Sequence, residues 1–256
     1  VYTDTHRKIS TGSSTDKFGL SKQELISLCK KISNFKNIKL DAISVHIGSQ
    51  ILSDKPFRKS LNIIADIINK TKIKLKFVDL GGGFGISYNK KDKKINLSRY
   101  SNLVNNFKNR FKCKIIFEPG RSIIGNAGIL VSKIQYIKKR GNKFFIILDA
   151  GMNDFMRPAL YDAFHDIIPI IKSGKKIRGA VEFVGPVCES SCNFGKYKNY
   201  QKLDEGSFVA INNVGAYGSS LSSNYNTRPL IEEVFIKKNK HKIIRKRQNL
   251  SQLVKV

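Results

Sequence analysis

The sequence has no tryptophan, only two methionines and six prolines, and far fewer acidic than basic residues. No apolar run is long enough to span a membrane, and the first residues show neither an initiator methionine nor a signal peptide. We therefore expect a soluble, cytoplasmic protein whose chain begins inside its gene. The four cysteines lack paired Cys-x-x-Cys spacing, which agrees with a reducing compartment.

The shortage of acidic residues gives a large positive charge. There are 47 Lys and Arg against 19 Asp and Glu, a formal net charge of +28. A nucleic-acid-binding domain concentrates such charge on one face and interleaves aromatic residues. Here the lysines are dispersed over nearly every segment, so we interpret the charge as a compositional bias. We expect no nucleic-acid partner, although anionic substrates would be attracted.

The chain changes character near its middle. In residues 1–125, apolar strand candidates alternate with amphipathic helices predicted over 21–35, 55–71 and 97–111. Ser21 and Glu24 predict a capping box at the start of the first helix. This alternation predicts α/β structure with parallel strands and helical crossovers, as in (β/α)8 barrels. Residues 126–256 alternate apolar and polar positions, which predicts a mostly antiparallel β-sandwich or β-barrel domain. Its final segment would pack back on the barrel.

A strand that ends in glycines is the most distinctive stretch. Residues 77–85 read Phe-Val-Asp-Leu-Gly-Gly-Gly-Phe-Gly. Consecutive glycines carry an entropic cost, so a fold retains them where the backbone must approach something closely. The N–H groups of such a loop bind anions, phosphate above all. A tight strand-to-helix turn without a ligand fits the same residues, and the spacing matches neither the dinucleotide nor the P-loop fingerprint.

Polar residues follow other predicted strands, where α/β barrels place their chemistry. His46 ends a strand predicted over 42–49, and Glu118 and Arg121 flank a Pro-Gly turn after another. A structural histidine and a local ion pair are the alternatives. A short helix is predicted around 156–164. Arg157 and Tyr161 are four residues apart in it, so a helical turn would place them on one side, where an arginine can bind a carboxylate.

The second half adds two further motifs. Cys188 and Glu189 place a thiol beside a carboxylate in the turn that follows the strand predicted over 180–187. A zinc site at Cys188 and Cys192 lacks further ligands nearby, so we expect no metal. Tyr217 lies in a Gly-Ala-Tyr-Gly segment ahead of Ser-Asn-Tyr-Asn-Thr-Arg-Pro at 223–229.

Six of these motifs occur in an order that resembles the diaminopimelate decarboxylase family, pyridoxal-phosphate enzymes of the alanine-racemase-like class. They are residues 46–49, 79–85, 118–121, 156–158, 188–190 and 223–226. Each motif is weak alone, but six in order are specific. The resemblance runs from residue 9 to residue 248. It implies decarboxylation of meso-diaminopimelate to L-lysine with pyridoxal 5'-phosphate, the last step of lysine biosynthesis.

The resemblance also implies roles for individual residues. His46 would stack on the cofactor ring, and Glu118 would keep the ring nitrogen protonated. The phosphate would be held by Ser49, Gly82, Gly83 and the backbone of Glu118, Pro119, Gly120 and Arg121. The charged groups of the substrate would be held by Arg121, Arg157, Tyr161, Glu189 and Tyr217, with Tyr217 also close to the cofactor.

Catalysis and assembly follow from the same resemblance. Cys188 would donate a proton to the reacting carbon, as a modestly acidic thiol can. Together with His46 it makes up the predicted catalytic pair. The Cys-Glu-Ser segment of such enzymes, residues 188–190 in this sequence, reaches into the neighbouring subunit's site, which implies a homodimer.

The sequence departs from the family at two points. The lysine that binds the cofactor aldehyde lies in a Tyr-x-x-Lys-x-Asn motif near the start of the barrel, and no such motif occurs here. The Tyr-Lys-Asn run at 197–199 has the wrong spacing and falls in the β domain. Asn213 stands where the family often has an acidic residue, which puts local hydrogen bonding in doubt.

About four strand–helix units are recognisable where a barrel needs eight. We therefore expect the chain to be the C-terminal portion of a longer protein, from a truncated sequence or a split or decayed gene. Alone it would be inactive. A related decarboxylase of ornithine, arginine or carboxynorspermidine is the alternative, although residues 156–158 and 188–190 favour diaminopimelate. A basic binding module is supported only by net charge.

Overall fold

The computed structural model describes residues 17–89 and 91–254. The chain divides into two compact units, Val1–Ile123 and Ile124–Val256. The N-terminal end of the resemblance, at residue 9, lies outside the described residues. Within those described ranges, no helix is both long enough and apolar enough to cross a membrane.

The first unit alternates helices and strands. In chain order these are α1 (Lys22–Lys31), β1 (Ala42–Ser44), α2 (Lys55–Thr71), β2 (Phe77–Asp79), α3 (Leu97–Phe111) and β3 (Lys114–Ile116). The bounds predicted for α2 and α3 are confirmed. The predicted capping box of α1 is also present. The Ser21 hydroxyl accepts from the Glu24 N–H, and the Glu24 carboxylate accepts from the Ser21 N–H.

The three strands form a parallel sheet in the order β1-β2-β3. Val78 at its centre is fully buried, and α2 contributes Phe57, Leu61 and Ile64 to the same core. The strand predicted over 42–49 was too long, because regular pairing ends at Ser44. The following residues form a loop beside the glycines, and this loop carries two of the predicted site residues.

The second unit is built from β-strands. They are β4 (Leu130–Arg140), β5 (Lys143–Leu148), β6 (Ile167–Pro169), β7 (Ala180–Val184), β8 (Asn193–Lys198), β9 (Phe208–Ile211), β10 (Glu233–Lys237) and β11 (Lys240–Arg245). Three short helices are α4 (Arg121–Ile124), which includes the boundary between the units, α5 (Arg157–Tyr161) and α6 (Leu250–Leu253). The sequence patterns missed β6, β8 and β11.

Six of these strands form one sheet in the order β6-β9-β4-β5-β7-β8, and β10 pairs with β11. Within the sheet β5 and β7 run parallel, and the other neighbours are antiparallel. The sheet buries Ile134, Ile146, Phe183 and Val209 completely. These side chains come from four different strands, so the core depends on the strand order.

Two elements of the second unit end earlier than their patterns predicted. The strand predicted over 180–187 stops at Val184, where the next residue, Gly185, lies so close to Ala150 that a Cβ would be 2.6 Å from its carbonyl oxygen. The helix predicted around 156–164 shortens to Arg157–Tyr161. Asp162 adopts a left-handed conformation with φ of 49°, which ends the helix.

Candidate functional site

The glycine loop after β2 lies between the ends of β1 and β3. A Cβ on Gly81, Gly82 or Gly83 would come closer than 3.0 Å to a backbone carbonyl oxygen, that of Val45, Glu118 and Gly48 respectively. Gly81 and Gly83 also have positive φ angles, 63° and 92°. The glycines are therefore required by the close packing of three strand ends, whether or not a ligand binds there.

Backbone hydrogen bonds fix this arrangement. The Glu118 N–H donates to the Gly81 carbonyl at 2.9 Å, and the Ile51 N–H donates to the Gly83 carbonyl at 2.8 Å. Asp79 supports the turn, because its carboxylate accepts from the Gly81 N–H at 2.8 Å and from the Ser44 hydroxyl at 3.1 Å. The loop is thus joined to the two segments that carry the other predicted cofactor residues.

His46 and Glu118 lie on either side of Gly82. The Gly82 N–H points to Nδ1 of His46 at 3.4 Å, and the backbone of Glu118 touches Gly82. Both side chains are exposed, and so are Pro119 and Gly120. A Cβ on Gly120 would meet nothing within 4 Å. The backbone of this turn therefore leaves room beside the glycine loop.

Arg121 is buried and links two loops. Its Nη2 donates to the Ser49 hydroxyl at 3.0 Å, and its Nη1 donates to the Tyr88 hydroxyl at 2.5 Å. The structure thus brings Ser49 and Arg121 together, as a shared anion site requires. Tyr88 was missed by sequence reasoning, since nothing in its neighbourhood forms a recognisable motif.

In the second unit, α5 carries Arg157 and Tyr161 on one side, as their spacing predicts. Arg157 is buried, and its Nη1 lies 2.7 Å from Nε2 of His165. Tyr161 is half-buried. His165 is completely buried and was not among the predicted residues. Its position eight residues after Arg157 gave no periodic signal, because the helix ends between them.

Cys188 and Glu189 are exposed and lie beside the segment at 225–227. The Glu189 carboxylate accepts from the Tyr225 hydroxyl and from the Ser191 hydroxyl, the latter at 3.1 Å. The hydrogen bond from the Tyr225 hydroxyl to Glu189 raises the pKa of Tyr225, because the carboxylate favours the protonated phenol. The Asn226 amide lies 3.8 Å from the thiol sulfur. The motifs at residues 188–190 and 223–226 are thus adjacent in space.

Arg228 anchors that segment to the body of the second unit. Its guanidinium donates to the Asn153 side chain at 2.9 Å and to the Asp149 carbonyl at 2.5 Å, and it lies 3.5 Å from the Asp154 carboxylate. Burial raises the pKa of Asp154, and the Gly151 N–H and Arg228 oppose that shift. A buried carboxylate of this kind depends on its partners.

The structure also gives the surroundings of two further tyrosines, Tyr217 and Tyr197. Tyr217 is exposed and has a left-handed backbone with φ of 59°. Tyr197 belongs to β8, and its hydroxyl donates to the His165 carbonyl at 3.1 Å and accepts from the Ile167 N–H at 3.0 Å. The tyrosine of the Tyr-Lys-Asn run is therefore a core residue. Across the described ranges, no group of three or more His, Cys, Asp or Glu side chains is arranged to hold a metal.

Known proteins are similar to this chain in sequence and in fold. Residues 1–125 match the model of the pyridoxal-binding domain of pyridoxal-dependent decarboxylases. The chain is 39% identical over 254 residues to diaminopimelate decarboxylase of Aquifex aeolicus, and 40% identical over 253 residues to that of Haemophilus influenzae. Over nearly its whole length the chain is thus similar in sequence to diaminopimelate decarboxylases.

These alignments cover 98% and 97% of the chain but 60% of each relative. The chain thus spans about 60% of the length of these curated relatives. A crystal structure of diaminopimelate decarboxylase from Helicobacter pylori complexed with L-lysine aligns with a TM-score of 0.88 and 39% identity, covering 98% of this chain and 62% of that one. The chain therefore has the fold of the corresponding part of these enzymes.

We predict that Gly82→Ala destabilises the first unit by about 1–3 kcal/mol, because the added methyl group overlaps the Glu118 carbonyl and must displace the strand end. Denaturant unfolding measures this loss. Gly174→Ala is the matched control, since a Cβ there meets nothing within 4 Å. Equal stability of the two variants would contradict the tight packing described here.

We predict that Arg228→Ala destabilises the second unit by about 3 kcal/mol, since it leaves Asp154 buried without its cation. The double variant Asp154→Asn with Arg228→Ala should recover part of this loss in thermal unfolding. Lys202→Ala removes an exposed ion pair with Asp204 and should cost less than about 1 kcal/mol. A loss in Arg228→Ala no larger than in this control would show that Arg228 does not stabilise Asp154.

Proposed function

We propose that this chain is part of a pyridoxal-phosphate-dependent decarboxylase that converts meso-diaminopimelate to L-lysine. The observation that carries the proposal is the packing of the glycine loop against the segments bearing His46, Ser49 and Glu118, within a match to a pyridoxal-binding domain. Homology to diaminopimelate decarboxylases over nearly the whole chain supports the same substrate.

The proposed cofactor site belongs to the first unit. The N–H groups around Gly82 and Gly83 would bind the phosphate, as glycine-loop nests bind anions. The Ser49 hydroxyl, held by Arg121 at 3.0 Å, would add a donor. The backbone from Glu118 to Arg121 would complete the phosphate site. Gly120 leaves room for the phosphate, since a Cβ there would meet nothing within 4 Å.

The proposed chemistry relies on two exposed side chains of this unit. Pyridoxal phosphate supplies an electron sink for cleavage of the bond to the departing carboxylate. His46 would lie against the face of the ring, and Glu118 would hold a proton at the ring nitrogen. The His46 ring and the backbone of Glu118 lie beside Gly82, where the loops meet.

We assign substrate recognition to Arg121, Arg157, Tyr161, Glu189 and Tyr217. Arg157 and Tyr161 share one side of α5, so a guanidinium and a phenol would act together on one carboxylate. The Glu189 carboxylate is fixed by Tyr225 and would bind an ammonium group. Cys188 would donate the proton that replaces the lost carboxylate. These roles remain proposals.

We also propose an architecture for each of the two units. The parallel sheet with its helices would be part of a (β/α)8 barrel that binds the cofactor, approximately residues 1–125. Residues 126–256 would form a β-sandwich or β-barrel domain. The aldehyde-binding lysine would lie in the portion of the relatives that this chain does not span, so the chain alone is predicted to be inactive. A cytoplasmic homodimer with shared sites remains a prediction.

The substrate alternative has weaker support. A crystal structure of lysine/ornithine decarboxylase from Vibrio vulnificus, complexed with cadaverine, aligns with a TM-score of 0.73 at 22% identity. Such a likeness shows the fold alone. Turnover of diaminopimelate and ornithine by the complete enzyme distinguishes the two substrates. Preference for ornithine would overturn the assignment to diaminopimelate.

We predict that Arg157→Ala in the complete enzyme lowers kcat/KM for diaminopimelate on the order of 100-fold, because a buried guanidinium that binds a carboxylate is lost. The cofactor absorbance band should remain, since no role in cofactor binding is assigned to Arg157. Arg178→Ala, at an exposed arginine of the same unit, is the control. Loss of the band, or a complete enzyme that binds no pyridoxal phosphate, would contradict the proposal.

A further inference from the structure

We propose that His165 is a positioning residue that fixes the guanidinium of Arg157 while it remains a neutral imidazole. Arg157 is assigned to substrate recognition above, so this inference rests on the proposed function. His165 is completely buried. It belongs to none of the motifs recognised in the sequence, and its effect on the reaction would pass through Arg157.

The hydrogen bonds of the ring determine its protonation. Nδ1 of His165 lies 2.8 Å from the backbone carbonyl of Asn212, and a carbonyl only accepts hydrogen bonds. Nδ1 therefore carries the hydrogen. Nε2 lies 2.7 Å from Nη1 of Arg157, and a guanidinium only donates. Nε2 must therefore accept, which selects the neutral imidazole with its proton on Nδ1.

The protein holds this ring on several sides. The Phe155 ring packs edge-on against it, with centroids 4.6 Å apart. The His165 carbonyl accepts from the Tyr197 hydroxyl at 3.1 Å. The Asn212 N–H donates to the Asp166 carbonyl at 2.9 Å, where β6 pairs with β9. The imidazole is therefore fixed by the sheet, and it can fix the arginine in turn.

A neutral histidine and an acidic side chain would differ in their effect on the charge of Arg157. A carboxylate beside Arg157 would also orient the guanidinium, but its charge would offset the charge that attracts an anionic substrate. Neutral histidine supplies one acceptor and adds no negative charge beside the arginine. The planar guanidinium has five donors in a rigid fork, so one fixed N–H sets the plane of the others. We infer that this pair serves recognition of a carboxylate.

Two substitutions in the complete holoenzyme separate positioning from packing. His165→Gln places an oxygen near the site of Nε2 and can still accept from Arg157. His165→Asn retains only the Nδ1 side of the ring. We expect His165→Asn to raise KM for diaminopimelate about tenfold or more, as loss of a hydrogen bond to a charged group does, with kcat changed far less. His165→Gln should restore KM to within about threefold of the wild type.

Comparable KM values for His165→Asn and the wild type would overturn the proposal. Equal KM increases in both variants would also overturn it, because they would show a packing effect. Thermal unfolding of both variants checks that they fold. The reference is decarboxylation by the unsubstituted enzyme. If that enzyme does not decarboxylate diaminopimelate, the proposed function is overturned, and the tautomer of His165 is tested by the NMR measurement below.

A measurement on the unsubstituted holoenzyme does not depend on turnover. Nitrogen-15 NMR of labelled imidazoles should show His165 neutral, with its proton on Nδ1. Adding pimelate, an unreactive dicarboxylate with the same carbon chain as the proposed substrate, should shift the Nε2 resonance, and Arg157→Ala should abolish that shift. A charged imidazole, a proton on Nε2, or an unchanged resonance on adding pimelate would each overturn the proposal.

Discussion

The arrangement of the first unit depends on one close approach of backbone to backbone. The glycine loop after β2 packs against carbonyl groups of the loops after β1 and before α4, at distances that exclude any Cβ. Because of this contact, His46, Ser49 and Glu118 lie around the same glycines. The constraint holds without a ligand, so the site is formed by the packing of the fold.

The second unit uses buried hydrogen bonds for a comparable purpose. Arg157 is held by His165, and Arg228 is held by Asn153, Asp154 and a backbone carbonyl. Burying charged groups is costly unless they are hydrogen-bonded, so these contacts restrict each guanidinium to one geometry. Rigid donors of this kind suit the recognition of carboxylates.

Local elements were predicted well where short-range rules govern them. The bounds of α2 and α3 and the capping box of α1 follow from helical periodicity and from residues three positions apart. Strand ends were predicted less well, because pairing stops where a neighbouring segment turns away. Three strands were missed. β6 has only three residues and β11 is almost entirely exposed, so neither shows the apolar alternation of a half-buried strand.

The sequence alone determined the helices, the position of the glycine loop, the order of the six motifs and the resemblance that they carry. Only the tertiary structure decided the partner of each polar side chain. Arg121 bonds Ser49, 72 residues away, and Tyr225 bonds Glu189, 36 residues away. His165 is close in sequence to Arg157, but the carbonyl that sets its tautomer belongs to Asn212, 47 residues away. Such pairs are selected by the packing of whole strands, and no local spacing encodes them.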